Sequence, residues 1–331
     1  MASPATETVG DDSFLARARD ASGMLSEETR RNFAVVVPAF DEAPVVHALV
    51  DELRAAFERY DLHGEVLLVD DGSGDGTGAL AEEAAAGWTA LRVLRHRTNL
   101  GKTEAIVTAA RATDRDVLLI FDADLQHRPD EIPRFLAQIQ EGWDVVCGRK
   151  VGRYGKRLVS SVYNRLSRLV FRVPVSDLNS IKAFRRSVLD ELRLRHDWHR
   201  FFVVLAHARG YSVTEIDVPL LPRRAGRSKY SGVLRVVVGV MDLVTVWFLL
   251  LFSRKPLLLF GATGLLLIFA GLAVGFAALY LRFIHGWGFR PLLDLVLLLE
   301  TVGFVLLGFG LVAEMVAQLR EEVEDLKRRI E

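Results

Sequence analysis

Residues 257–281 form an apolar run without a single charged side chain. A helix of about 20 such residues is long enough to span the hydrocarbon core of a bilayer, so this run limits the fold more than any other feature. Gly286, Gly288 and Pro291 follow in a short linker, and a second apolar run, 292–313, is interrupted by Asp294 and Glu300. Two spans bring the chain back to the side it left. Lys and Arg gather before the first run (Arg254, Lys255) and after the second (Arg320, Lys327), while the connection carries Arg282 and Arg290. The positive-inside bias therefore predicts cytoplasmic flanks at both ends, in a multi-pass protein of the inner membrane. Glu300 inside a span is costly as a charge and should be neutral, paired or near water. Residues 236–252 are apolar but contain Asp242, which predicts a helix lying on the membrane rather than crossing it.

The first two-thirds of the chain has a different pattern. Short β-branched runs at 33–37, 66–69, 91–94, 117–121 and 145–147 alternate with helical spacing at 43–60, 76–86 and 101–113. Such alternation predicts an α/β domain whose mostly parallel sheet is covered by helices on both faces. Ligands of these sheets bind beyond the carboxyl ends of the strands, and the polar clusters 38–42, 70–77, 99–102 and 122–126 all fall there. Residues 177–217 read as further helices and a strand. Residues 1–30 mix charge with small side chains and read as a mobile leader, part of it helical. The 42 basic and 42 acidic residues cancel, so no overall field draws nucleic acid and only local charge matters. Cys147, the single cysteine, sits in a strand-like run and reads as an inert core thiol.

Three segments carry chemistry. Asp122-Ala123-Asp124 closes a strand, where two carboxylates can share a hard divalent cation with a diphosphate; a helix cap before Pro129 is the plain alternative. Asp70-Asp71-Gly72-Ser73-Gly74-Asp75-Gly76-Thr77 resembles a calcium loop in composition, but its Glu82 falls in an Ala-rich helix. Its glycines miss the G-x-G-x-x-G spacing, leaving a loop whose acids bond a base and ribose, or a simple turn. Residues 149–172 hold eight Arg or Lys and no acid, suited to an anionic lipid head or a basic membrane-facing surface. His127 reads as structural.

Together these segments resemble glycosyltransferases of family 2, with the Rossmann-like GT-A fold. Within that family the chain is similar to the polyprenyl-phosphate sugar synthases, the group of dolichyl-phosphate mannose synthase and its bacterial relatives. The resemblance rests on Val36-Val37-Pro38-Ala39-Phe40-Asp41-Glu42, residues 69–77, Asn99-Leu100-Gly101-Lys102, Asp122-Ala123-Asp124-Leu125-Gln126-His127, Val146-Cys147-Gly148-Arg149 and Gly226-Arg227-Ser228-Lys229-Tyr230. It implies that Pro38, Ala39, Glu42 and Asp71, with Lys102, bind the donor nucleotide sugar, a GDP- or UDP-linked hexose. It implies that Asp122 and Asp124 hold Mg²⁺ or Mn²⁺ with Gln126 nearby. Arg149, with Arg157 and Ser161, would hold the acceptor phosphate, and Arg223, Ser228 and Lys229 would close over the site. Asp41 stands where the family usually has Asn, Thr103 where it often has Gly, and Lys182 where it has Arg.

The implied reaction is inverting transfer of a hexosyl group to a polyprenyl phosphate, a step in building cell envelope glycan. A phosphate acceptor is already anionic and needs no general base. Processive synthases carry such a base and a Q-x-x-R-W segment, and the corresponding 197–201 stretch, Asp197-Trp198-His199-Arg200-Phe201, has neither. The alternatives are a family 2 transferase acting on a lipid-linked saccharide and a catalytically silent membrane scaffold. The expected layout is a leader (1–30), a cytoplasmic GT-A domain (31–230), interfacial helices (231–255), a two-helix transmembrane hairpin (256–316) and a cytoplasmic helical tail (317–331). Val312, Val316, Leu319, Val323, Leu326 and Ile330 repeat as an a/d seam, which predicts a homo-oligomer.

Overall fold

A computed structural model describes residues 11–151, 173–175, 177–178, 180–192, 201–222, 256–288 and 290–330. The expected interfacial helices, and Arg157, Ser161, Arg223, Ser228 and Lys229, lie outside the described residues. The chain divides into two compact units, Met1–Arg235 and Val236–Glu331.

The first unit is built on a seven-stranded sheet: β1 (Phe33–Ala39), β2 (Glu65–Asp70), β3 (Leu91–Arg95), β4 (Val117–Ile120), β5 (Val145–Val151), β6 (Lys182–Arg185) and β7 (Val213–Pro219). Their order across the sheet is β3-β2-β1-β4-β6-β5-β7. All neighbours pair in parallel except those of β6, which runs antiparallel between β4 and β5. The sheet is thus mostly parallel, as the alternation predicts. The 177–217 region supplies two strands rather than one. Strand β6 is too short, with Lys182 and Arg185 at its ends, to carry a periodic signal.

Helices α3 (Ala43–Arg59), α4 (Thr77–Ala84), α5 (Lys102–Arg111), α6 (Ile132–Gln140), α7 (Arg186–Leu192) and α8 (Phe202–Ala208) pack around it. Val45, Val46, Leu49, Val50, Leu53 and Phe57 of α3 recur at helical spacing, and all are buried. Ile132, Phe135, Leu136 and Ile139 make the equivalent stripe on α6. Phe33, Phe121, Phe135 and Phe184 are wholly inaccessible and fill the largest spaces.

Part of the leader is helical, in keeping with the sequence reading. Residues 11–31 fold as α1 (Asp11–Met24) and α2 (Glu27–Arg31), with Ala18 and Leu25 in the core cluster. Their attachment is largely polar. The Arg30 guanidinium donates to Tyr60 O at 2.7 Å and Ser22 O at 2.5 Å. The Gln140 amide bridges Met24 O at 2.9 Å and Ser26 N at 2.8 Å. Phe14, Leu15, Ala18, Ala21 and Leu25 add a short apolar stripe, all of it buried or half-buried.

The second unit contains α9 (Pro256–Ile284) and α10 (Arg290–Ile330), both long and apolar enough to cross a membrane. They touch through glycine: a Cβ on Gly264 would lie 2.6 Å from Gly303 O and 2.9 Å from Leu307 N. Such close backbone approach is a packing mode of membrane helices. Leu258, Leu266, Phe269, Phe276, Leu297 and Phe304 face outward, which suits lipid. Glu300 Oε1 is buried without a hydrogen bond and abuts Gly271. Glu314 Oε2 accepts from Leu257 N at 3.1 Å, close to the start of α9. The tail continues α10 without a break as far as Ile330, and Val312, Val316, Leu319, Val323 and Leu326 along it are exposed.

Candidate active site

The carboxyl ends of β3, β2, β1 and β4 share one edge of the sheet, as parallel pairing requires. At this edge β4 parts from β1 early. Their pairing ends at Val36, with Phe121 N donating to Val36 O at 2.9 Å. Pro38, which has no N–H to offer a neighbour, lies just beyond.

Two loops are stitched together on the β2 side. Asp41 N donates to Ser73 Oγ at 2.9 Å and Gly74 N to Asp41 Oδ1 at 3.1 Å. Glu42 N donates to Thr77 Oγ1 at 2.9 Å, and Ala43 N to Asp75 Oδ2 at 3.0 Å. Asp41 sits at φ 50°, a left-handed conformation that Asn and Asp tolerate best. That shared tolerance explains how Asp can stand where the family usually has Asn. Gly72, at φ +73°, is irreplaceable for a second reason: a Cβ would lie 2.5 Å from the carbonyl carbon of Thr98.

Asp71 has both carboxylate oxygens engaged with the neighbouring loop. Oδ1 accepts from Leu100 N at 2.8 Å and lies 2.7 Å from His96 Nδ1; Oδ2 accepts from Gly101 N at 2.8 Å. His96 Nε2 in turn lies 2.9 Å from Thr108 Oγ1. Sequence reasoning gives Asp71 a nucleoside contact and overlooks His96, whose partner is 25 residues away. In the structure Asp71 fastens the start of α5. Asp71→Asn would aim an amide N–H₂ at backbone N–H groups. Charge-assisted bonds contribute about 1.5–3 kcal/mol each, so this variant is expected to lower stability by about 2–3 kcal/mol. Thermal unfolding of the purified protein measures it, and an unchanged midpoint would remove Asp71 from this role.

So held, Lys102 at the start of α5 donates its ammonium to Asp122 Oδ1 in a very short contact. Asp122 and Asp124 flank buried Ala123 where the chain leaves β4 and enters a turn, and both are half-buried. Leu125 then turns the chain at φ 54°, costing about 1–2 kcal/mol for a non-glycine residue. Gln126 N donates to Asp124 Oδ1 at 3.2 Å, and Leu221 N to Gln126 O at 2.9 Å. Burial alone would raise the Asp122 carboxyl, but the charge and hydrogen bond of Lys102, helped by Lys150, hold it well below the usual carboxylate range. Asp122 is therefore ionised at neutral pH.

Lys150 and Asp177, which sequence reasoning does not assign to the site, approach to 3.6 Å. Lys182 donates to Leu178 O at 2.9 Å and is pulled down to about 8 by burial. Burial also pulls His127 down to about 4, so at neutral pH it has no proton to give as a general acid. The Cys147 thiol is pushed up to about 12 by burial, in keeping with an inert core thiol. Arg149 is half-exposed and meets two carboxylates of β7: Nε donates to Asp217 Oδ1 at 2.5 Å and Nη1 to Glu215 Oε1 at 3.2 Å. The β5–β7 register sets Arg149 opposite Asp217, a pairing that motif reading cannot foresee.

The donor set fits a hard divalent cation. No group of three or more His, Cys, Asp or Glu side chains capable of holding a metal gathers among the described residues. The chain thus offers the Asp122–Asp124 pair, oxygen donors throughout. Mg²⁺ and Mn²⁺ commonly take one or two carboxylates from a protein and fill the remaining positions with water and substrate phosphate.

Known structures share this architecture. Glucosyl-3-phosphoglycerate synthase from Mycobacterium tuberculosis, in complex with Mn²⁺, UDP and phosphoglyceric acid, superimposes with a TM-score of 0.52 at 18% identity, over 69% of this chain and 82% of its own. Its complex with Mg²⁺ and UDP gives 0.53. The first unit is therefore a GT-A fold, the architecture of a large class of sugar transferases. Residues 34–209 match the glycosyl transferase family 2 domain. Two curated relatives align over nearly the whole chain. Undecaprenyl-phosphate 4-deoxy-4-formamido-L-arabinose transferase of Aeromonas hydrophila is 30% identical over 88% of this chain and 90% of its own. The protein of the same name in Klebsiella pneumoniae is 30% identical over 91% and 92%. The chain belongs to glycosyl transferase family 2 and is a glycosyltransferase.

Proposed function

We propose that this glycosyltransferase moves a hexosyl group, with inversion, from a nucleoside-diphosphate sugar to a polyprenyl phosphate at the cytoplasmic face of the inner membrane. The observation that carries the reading is the combination, in one chain, of an ionised Asp122, two residues from Asp124, beyond the end of β4 and two apolar helices long enough to cross a membrane. The relatives that align along most of this length are named for transfer to undecaprenyl phosphate.

Each group has a definite task in this scheme. The loops of Pro38, Ala39 and Glu42 hold the nucleoside. Asp122 and Asp124 would hold the divalent ion, with Gln126 nearby at the donor, and the ion when bound would offset the charge that develops on the departing diphosphate. The lipid phosphate oxygen attacks the anomeric carbon in line, so one displacement inverts the configuration. No side chain is required to remove a proton, consistent with a His127 that is neutral and buried. Arg149 is suited to the acceptor phosphate through its planar fork of donors, and taking that role means exchanging Asp217 and Glu215 for phosphate. Arg157 and Ser161 complete the acceptor subsite, and Arg223, Ser228 and Lys229 the closing loop. The exposed seam of α10 supports a homo-oligomer.

Membranes containing the full chain, supplied with polyprenyl phosphate and a panel of UDP- and GDP-linked sugars, should release nucleoside diphosphate and form an acid-labile glycolipid with at least one donor. The panel includes pentosyl donors, because the sugar in the relatives' name is an arabinose derivative. Transfer only to a lipid-linked saccharide would replace the acceptor assignment. Absence of donor turnover with every acceptor would favour a silent scaffold.

A further inference from the structure

Lys102 is doing something that a donor-binding assignment leaves unexplained: its ammonium sits directly on Asp122 Oδ1. Asp122 Oδ1 already carries an ammonium, which competes with a divalent ion for the negative charge of this carboxylate. The two cations also repel at close range in a partly screened site. Both side chains are 33% exposed, so a solvated ion can reach them.

The position of Lys102 is imposed by the fold. Asp71 clamps the two amides immediately before it, Leu100 N and Gly101 N, and α5 starts at Lys102 itself. The pair is therefore a built feature of the sheet edge.

We propose that Lys102 is the resident counter-ion of Asp122 and imposes an order on binding, resisting a divalent metal that arrives alone and yielding to one that arrives with a nucleoside diphosphate. The diphosphate supplies the negative charge that the displaced ammonium then needs, so the two ligands favour each other's binding. This coupling is reciprocal by necessity. It also keeps the donor loops from being held in a metal-bound, sugar-free state. The inference rests on the assignment of Asp122 and Asp124 to the metal, and Lys102 acts through Asp122 as a positioning residue.

The test uses the full chain in lipid nanodiscs and reads Mn²⁺ binding by water-proton relaxation, without turnover, in the absence and presence of UDP or GDP. Lys102→Gln is expected to bind Mn²⁺ alone about tenfold more tightly than the parent, a change of about 1.4 kcal/mol, and to lose most of the enhancement by nucleotide. Lys102→Arg keeps a cation on Asp122 and should stay near the parent, which excludes a general loosening of the site. Equal or weaker Mn²⁺ binding by Lys102→Gln overturns the proposal while leaving the metal site standing. If parent and variant both fail to bind Mn²⁺ with either nucleotide, the metal assignment falls and the proposal falls with it.

Discussion

Asp124→Asn is expected to reduce turnover by about a thousandfold or more while leaving the protein folded. The substitution keeps the shape of the side chain and its ability to accept from Gln126 N. It removes one of the two negative charges that the proposed metal site would offer. Loss of one preorganised electrostatic contact to a developing anion costs about 100- to 1,000-fold in rate, and here the loss also weakens retention of the ion that makes the contact. Stability should change little because Asp124 is half-buried at a loop rather than in the core; a thermal midpoint within about 2 °C of the parent is expected. Single-turnover kinetics on membranes in saturating Mg²⁺ and in saturating Mn²⁺ measure the effect. Near-parental rates in either ion would take Asp124 out of the site.

The second large effect is expected in the apolar hairpin. Gly264→Leu should destabilise the pairing of α9 and α10 by about 3 kcal/mol or more, at the top of the usual range for overpacking. The reason is the identity of the obstructing atoms. A Cβ at this position meets Gly303 O at 2.6 Å and Leu307 N at 2.9 Å, and backbone cannot rotate away as a side chain can. Gly308, by contrast, has nothing within 4 Å of the place a Cβ would take, and Gly308→Leu should leave stability unchanged. Unfolding in mixed micelles with increasing SDS compares the two. Equal midpoints for both variants would show that the close approach of the helices is not what holds them.

Much of the fold can be read from the residues because the signals are local. β1, β2 and β4 are short apolar runs, rich in β-branched or leucine residues, ending near Pro38, Asp70 and Asp122. α3 carries its buried stripe at regular spacing, and the apolar hairpin follows from length and absence of charge. The Asp122–Asp124 pair is visible for the same reason: two residues set its geometry. What escapes the sequence is set across distance. The His96–Asp71 contact spans 25 residues, the Lys102–Asp122 pair 20 and the Arg149–Asp217 pair 68. Each depends on which strand lies beside which, and β6 enters the sheet from a segment with no clear periodicity. The docking of α1 and α2 is of the same kind, since Arg30 reaches Tyr60 and Gln140 reaches Met24 across long stretches of chain.

The carboxylate of Glu314 near the start of α9 has a bearing on how the molecule is made. Ribosomal synthesis reaches Leu257 57 residues before it reaches Glu314. The first apolar helix therefore emerges without this partner and gains it only when more than half of the later helix has been translated. Glycine-to-backbone contact at Gly264 likewise waits for Gly303. Neither helix has its native neighbours until both exist, which makes the pair, rather than the single helix, the unit that acquires native packing.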